Sequence, residues 1–165
     1  MRPNRQQRGF SLIELLIVIA IILIIVTVAL PRLNKARVYA QEMAAQKAVQ
    51  TVSTAQVEYN SQFGRFAQSL TELGPPASGA ESAAAAGLIS ADLASGEKQG
   101  YRFTVTATPT GYAISAVPIS FGATGSRTFF ADQTMDIHYN DGQEPASANS
   151  PIVGKAAAKA SDSTK

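Results

Sequence analysis

The spacing of apolar positions changes character along this chain, from an unbroken greasy run to a helical stripe and then to short alternating stretches. Between residues 10 and 30 only Ser11, Glu14 and Thr27 are polar. At a rise of about 1.5 Å per residue the run extends roughly 30 Å, the depth of a bilayer's hydrocarbon core, so it predicts a membrane-spanning helix. It is too long and uninterrupted for the apolar part of an ordinary secretory signal, and no small-x-small cleavage pattern precedes Pro31, so the segment is expected to stay in the mature protein. Pro31 lacks an amide hydrogen and crowds the carbonyl of Thr27, which predicts a bend or local break there. Past the proline, Leu33, Ala36, Ala40, Met43, Ala44, Ala48, Val52, Ala55, Tyr59, Phe63 and Phe66 recur at steps of three and four. That is one face of a helix continuing to about Gln62, with Lys35, Arg37, Gln41, Glu42, Gln46, Gln50 and Glu58 turned to water or to other subunits.

Turn and cap residues then punctuate the chain. Gly64 stops the long helix, Ser69 caps a short turn and Pro75-Pro76 closes that stretch. Residues 77–100 are rich in Ala, Gly and Ser, with a short helix expected through 88–93 and ending near Gly96; residues 83–86 have helical composition too. Period-two alternation at 101–107 and 112–117, around Thr108-Pro109-Thr110-Gly111, predicts a hairpin, and 127–131 with 137–139 predicts a second. Three or four antiparallel strands with one apolar face would cover the helical stripe, giving an α+β fold. After Gly142 the chain loses all periodicity, which reads as a disordered tail over 143–165.

Composition removes several classes of function. With no cysteine there is no disulfide, thiolate metal site or thiol nucleophile. The formal charge of +2 includes Arg2, Arg5 and Arg8; without them 11 of the 14 basic side chains face 12 acidic ones, so the basic balance belongs to the first residues and nucleic-acid binding is not indicated. The basic cluster Arg32, Lys35 and Arg37 reads as a solvated or inter-subunit face in preference to a headgroup or DNA contact.

Glu14 is the anomaly. A charged group deep in such a helix costs on the order of 2.5 to 3.5 kcal/mol on insertion scales, less near the interface. No Lys, Arg or His lies between residues 10 and 30 to pair with it. Either Glu14 snorkels to the headgroups or is protonated, or its partner comes from outside the chain. Cutting after Gly9 would create an α-amino group on Phe10 that a neighbouring copy could offer to this carboxylate.

Arg8-Gly9-Phe10-Ser11-Leu12-Ile13-Glu14-Leu15-Leu16, followed by the apolar helix to Pro31, resembles the prepilin signature of type IV pilins and pseudopilins. The resemblance implies that a membrane-embedded prepilin peptidase cuts between Gly9 and Phe10 and methylates the new amine of Phe10, and that Glu14 guides assembly into a helical filament. It implies a cytoplasmic leader, which charge alone leaves tied, since Arg2, Arg5 and Arg8 on one side face Arg32, Lys35 and Arg37 on the other. The organisation expected is a removed leader at 1–9, an assembly helix at 10–31, its amphipathic continuation at 32–66, a variable loop at 67–100, the sheet at 101–142 and the tail. The implied function is that of a structural, non-enzymatic subunit, inserted in the bacterial inner membrane and polymerised by an inner-membrane assembly platform into a surface pilus for adhesion, twitching motility or DNA uptake. The alternative is a pseudopilin of a type II secretion system. A rival of another class, a single-span enzyme or sensor, would need neither Gly9 nor Glu14.

Candidates for chemistry are few, and no cofactor is implied. His138, the one histidine, sits in a predicted strand and reads as a surface residue without a catalytic role. Asp132, Asp136 and Asp141 are oxygen ligands at turn spacing that calcium would accept, although their spacing matches no known loop of the family. Phe10, Tyr39, Tyr59, Phe63 and Phe66 are better explained by core packing than by electron conduction.

Overall fold

The computed structural model describes residues 10–155; residues 1–9, the expected leader, and residues 156–165 lie outside the described part. It forms two compact units, one ending at Ala36 and the other starting at Arg37, and helix α1 (Leu12–Phe63, 52 residues) runs through both. The helix assignment is continuous across Pro31, so no local break interrupts it there. Helix α1 ends at Gly64, whose φ of +70° is the left-handed conformation that glycine adopts without strain; its N–H donates to the Asn60 carbonyl at 2.8 Å.

The second unit is an α+β body. Two single-turn helices, α2 (Leu70–Leu73) and α3 (Ala91–Ala94), precede a five-stranded antiparallel sheet in sequential order: β1 (Glu97–Lys98), β2 (Tyr101–Thr108), β3 (Gly111–Pro118), β4 (Thr128–Asp132) and β5 (Ile137–Asn140). The two expected hairpins are present, with Phe103 opposite Ala116, Ile114 opposite Ala131 and Phe129 opposite Tyr139. That register places Tyr101, Phe103, Tyr112, Ile114, Ala116, Phe129 and Ala131 on one face, where they form a core with Ala45, Ala48, Val49, Val52, Ala55 and Tyr59 of α1. The count exceeds the expected three or four because β1 lies inside the stretch assigned to a loop; its two residues pair with Tyr101 and Arg102.

The helical stripe is rotated from its expected position. Leu33, Ala36, Ala40 and Met43 are exposed, whereas Glu42 and Gln56 are buried. Polar ends are tolerated inside when backbone groups satisfy them. Gln56 does so with one residue, its Nε2 donating to the Ala67 carbonyl at 2.8 Å and its Oε1 accepting from the Ala67 N–H at 2.9 Å. This clamp folds the chain back onto α1 directly after Gly64. Tyr59, Phe63 and Phe66 pack in or against the core as expected, but Tyr39 and Phe10 are exposed.

Residues 67–100 are more ordered than a surface loop. Ser69 caps α2 by accepting from the Glu72 N–H, and the backbone of 86–89 bonds back to Glu72, Leu73 and Gly74. Residues 83–86 are not helical; Ser82 and Ala85 form a bridge, and the short helix starts at Ala91 instead of Leu88. Glu72 is the hub: its Oε2 accepts from Arg65 at 2.8 Å, the Tyr59 hydroxyl at 3.0 Å and the Gln68 N–H at 3.2 Å. Partial burial pushes the Glu72 carboxyl up, but the bonds from Arg65, Gln68 and Tyr59 outweigh it and hold it below its usual 4.5.

The tail expected from residue 143 is not a tail as far as Lys155. Pro151 accepts from the Tyr139 N–H at 2.9 Å and Val153 donates to the Ile137 carbonyl at 2.7 Å, extending the sheet beyond β5. Thr128, 0 % exposed, holds the returning chain with one hydroxyl: Oγ1 donates to the Glu144 carbonyl at 2.8 Å and accepts from the Ala146 N–H at 2.9 Å. Backbone bonding orders this stretch where side-chain patterning is silent. Residues 156–165, the remainder of the expected tail, fall outside the described part.

Two outcomes test these networks in the full-length chain in detergent. Thr128→Val strips the Ala146 N–H of its acceptor and should lower unfolding stability by about 1 to 3 kcal/mol, read from urea unfolding followed by tyrosine fluorescence. Because folding lowers the pKa of Glu72, its contribution is complete above the unfolded value of 4.5 and fades as pH falls through the folded value. The stability difference between the parent and Glu72→Gln should therefore shrink on acidification below pH 4.5.

Candidate functional site

The amino-terminal unit owes its character to one property: its apolar residues have nothing over them. Large hydrophobic side chains from Leu12 to Val26 are exposed on every side of the helix, and Phe10 is 77 % exposed. The segment is long and apolar enough to cross a membrane, and none of its most apolar stretch is buried within the chain. Water is therefore an unsuitable solvent for it, since each side chain of this kind gains about 1.5 to 3 kcal/mol on full burial. Thr27 is accommodated by donating its hydroxyl to the Ile24 carbonyl at 2.8 Å, so its polar group needs no outside partner.

The helix start puts Glu14 at a position where an acid can serve its own helix. The Ser11 carbonyl accepts from the Glu14 N–H at 3.1 Å and the Leu15 N–H at 3.2 Å, and α1 starts at Leu12. Ser11 thus occupies the cap position and Glu14 the third residue of the first turn. Ser-x-x-Glu is the spacing of a capping box, in which serine and acid serve helix amides that lack carbonyl partners. A carboxylate in the first turn also faces the positive end of the helix dipole, worth about 0.3 to 1 kcal/mol in water. The signal was legible in residues 11–14, although it was hidden by the larger anomaly of an acid in an apolar run.

Of the residues expected to be processed, Phe10 precedes the helix in a non-helical backbone, while Gly9 falls outside the described residues. Glu14 is exposed within the chain. Pro31 lies in continuous helix.

The candidates in the second unit are not gathered into one site. Asp132 accepts from the Thr134 N–H and hydroxyl at 2.9 and 2.6 Å, Asp136 pairs with Lys155 at 3.4 Å, and Asp141 pairs with Arg127 at 2.6 Å. Among the described residues no group of three or more His, Cys, Asp or Glu side chains is placed to hold a metal ion. His138, expected at the surface, is buried between β5 and the returning chain. Its Nδ1 lies 2.6 Å from the Ser150 carbonyl, which only accepts, so Nδ1 carries the proton and the ring ties the end of the chain to the sheet.

An apolar helix with this starting sequence is also what comparison with other proteins finds. Residues 4–30 match the prokaryotic N-terminal methylation motif. The chain is 36 % identical over 73 residues to the type IV major pilin protein PilA of Myxococcus xanthus, a match covering 44 % of this chain and 33 % of that protein. The matched region thus spans about a third of the curated relative's length. No solved structure matches.

One substitution tests the solvent requirement directly. Ile19→Arg places a charge near the middle of the run and should cost about 2.5 to 3.5 kcal/mol of insertion, seen as chain lost from the alkali-resistant membrane fraction. The amino-terminal segment of this chain carries the prokaryotic N-terminal methylation motif, and part of the chain is similar to a type IV major pilin.

Proposed function

We propose that this chain is the precursor of a type IV pilus subunit, inserted in the bacterial inner membrane, cut by prepilin peptidase between Gly9 and Phe10, methylated on the new amine of Phe10 and polymerised into a helical surface filament. The observation that carries the reading is the helix from Leu12 to Val26, apolar and exposed on all sides behind a Gly-Phe-x-x-x-Glu start. Such a surface is stable in lipid and equally stable among copies of itself, so transfer from membrane to filament costs little. Within that scheme Glu14, in the first turn of its own helix, meets the α-amino group of Phe10 on an adjoining copy. Cleavage acts as the assembly step because it removes Arg2, Arg5 and Arg8 from the helix end and creates the amine.

The role is structural, and the similarity to a major pilin supports a pilus over the pseudopilus of a type II secretion system. An extended surface filament would then serve adhesion, twitching motility or DNA uptake. A cytoplasmic ATPase-driven machine, acting with the inner-membrane assembly platform, supplies the force.

Two substitutions separate the steps. Gly9→Val should leave the precursor intact and abolish filaments. Glu14→Val should permit cleavage and methylation, read from the mass of the membrane-extracted subunit, while filament yield in sheared material falls sharply. Normal filament abundance in either variant contradicts the scheme.

A further inference from the structure

The link between β3 and β4 runs from Ile119 to Arg127; residues 119–126 carry no charged side chain, Arg127 is paired with Asp141, and several backbone groups of the loop are tied down. The Ile119 N–H donates to the Gly100 carbonyl at 2.9 Å, the Thr124 N–H to Ser120 at 2.9 Å and the Gly122 N–H to Gly125 at 2.7 Å. At the far end Glu42, a buried carboxylate from α1, accepts from the Ser126 N–H at 2.8 Å and the Ser126 hydroxyl at 2.6 Å. Gly125 is required for this closure, because a Cβ there would run into the Tyr101 hydroxyl. Burying an acid is expensive unless it is well bonded, and here it fixes a connection that packs few side chains into the core.

What the rigid loop holds outward is apolar. Ile119 is 49 % exposed and Phe121 41 %. The α1 turn that supplies Glu42 carries two more exposed apolar side chains, Tyr39 at 61 % and Met43 at 38 %. A loop fixed in place before binding loses little entropy on association, and aromatic side chains are the usual anchors of such contacts. With Arg127 already neutralised by Asp141, the uncharged residues 119–126 suit an uncharged partner, and the chain supplies one: residues 15–26 of another copy, which are exposed all round and bear no charge.

We infer that Ile119 and Phe121, held by the Glu42–Ser126 contact and flanked by Tyr39 and Met43, form the docking surface for the apolar amino-terminal helix of a second copy. This rests on the filament reading above. Glu42 is a positioning residue in it, and Phe121 is the contact.

The lack of cysteine makes the test clean. Full-length chains carrying Phe121→Cys are co-expressed with chains carrying Leu16→Cys, Ile19→Cys or Leu23→Cys, and sheared filaments are treated with a short thiol-specific cross-linker. Mixed dimers should form with at least one helix position. The double variant Ile119→Ser/Phe121→Ser should keep normal processing and protease resistance while filament yield falls by roughly tenfold. Glu42→Gln, which retains an acceptor oxygen for Ser126, should fall less than Glu42→Ala. Filaments of normal abundance with no mixed dimer at any position overturn the docking surface and leave the filament reading standing. A nitroxide label at residue 121 that reports lipid in place of a protein neighbour within assembled material also overturns it. A parent chain that never polymerises removes the filament reading itself, and the docking surface with it.

Discussion

A helix that presents apolar side chains in every direction cannot be satisfied by the chain that carries it. The second unit already covers one face of α1 with its own sheet, and the amino-terminal side chains between Leu12 and Val26 are left exposed. At about 25 cal/mol per Å² of apolar surface, leaving such a segment in water is untenable, so a second phase is compulsory. Lipid is one and a crowd of identical helices is another. The remaining features near the start of the chain fit that demand: an acid in the first turn, where helix amides lack carbonyl partners, and Thr27 bonded to the backbone of its own helix.

The second unit solves a different problem, that of a small sheet with two edges and no cross-links. At one edge β1 and the Gly96 carbonyl, which accepts from Phe103, begin to cover β2. At the other, residues 151–153 pair with β5 and close an edge that would otherwise invite another chain. Between these edges the inward residues of β2 to β5 rest on small side chains of α1, and Ala45, Ala48 and Ala55 let helix and sheet approach closely. Glu42, Gln56 and Glu72 each anchor a connection to α1 or to its end, so the loops inherit order from the helix.

The sequence displayed those parts of the fold that depend on periodicity. The apolar run, the two hairpins, the stop at Gly64 and the Ser69 cap are local patterns, and each has its counterpart in the structure. What escaped is what depends on a distant partner. Glu42 looks solvent-facing until Ser126, 84 residues away, supplies two donors. His138 looks like a surface residue until the returning chain covers it, and residues 143–155 look structureless because backbone groups bind them. A buried polar side chain breaks the apolar stripe that periodicity seeks, which is why Met43 was expected inside and Glu42 outside. In the candidate site, the resemblance carried by residues 8–16 is plain, and the Ser-x-x-Glu spacing of Ser11 and Glu14 is legible beside it, with the helix start at Leu12 placing both at the first turn.

The Thr128 hydroxyl has a consequence for how the end of the chain matures. This side chain holds the start of the segment after β5 by donating one proton and accepting another, with no covalent bond formed. Closure therefore consumes no oxidant and needs no isomerase, and it proceeds alike on either side of a bilayer. A fastening of this kind also reopens and heals under mechanical load, whereas a covalent staple, once cleaved, waits for enzymes to restore it.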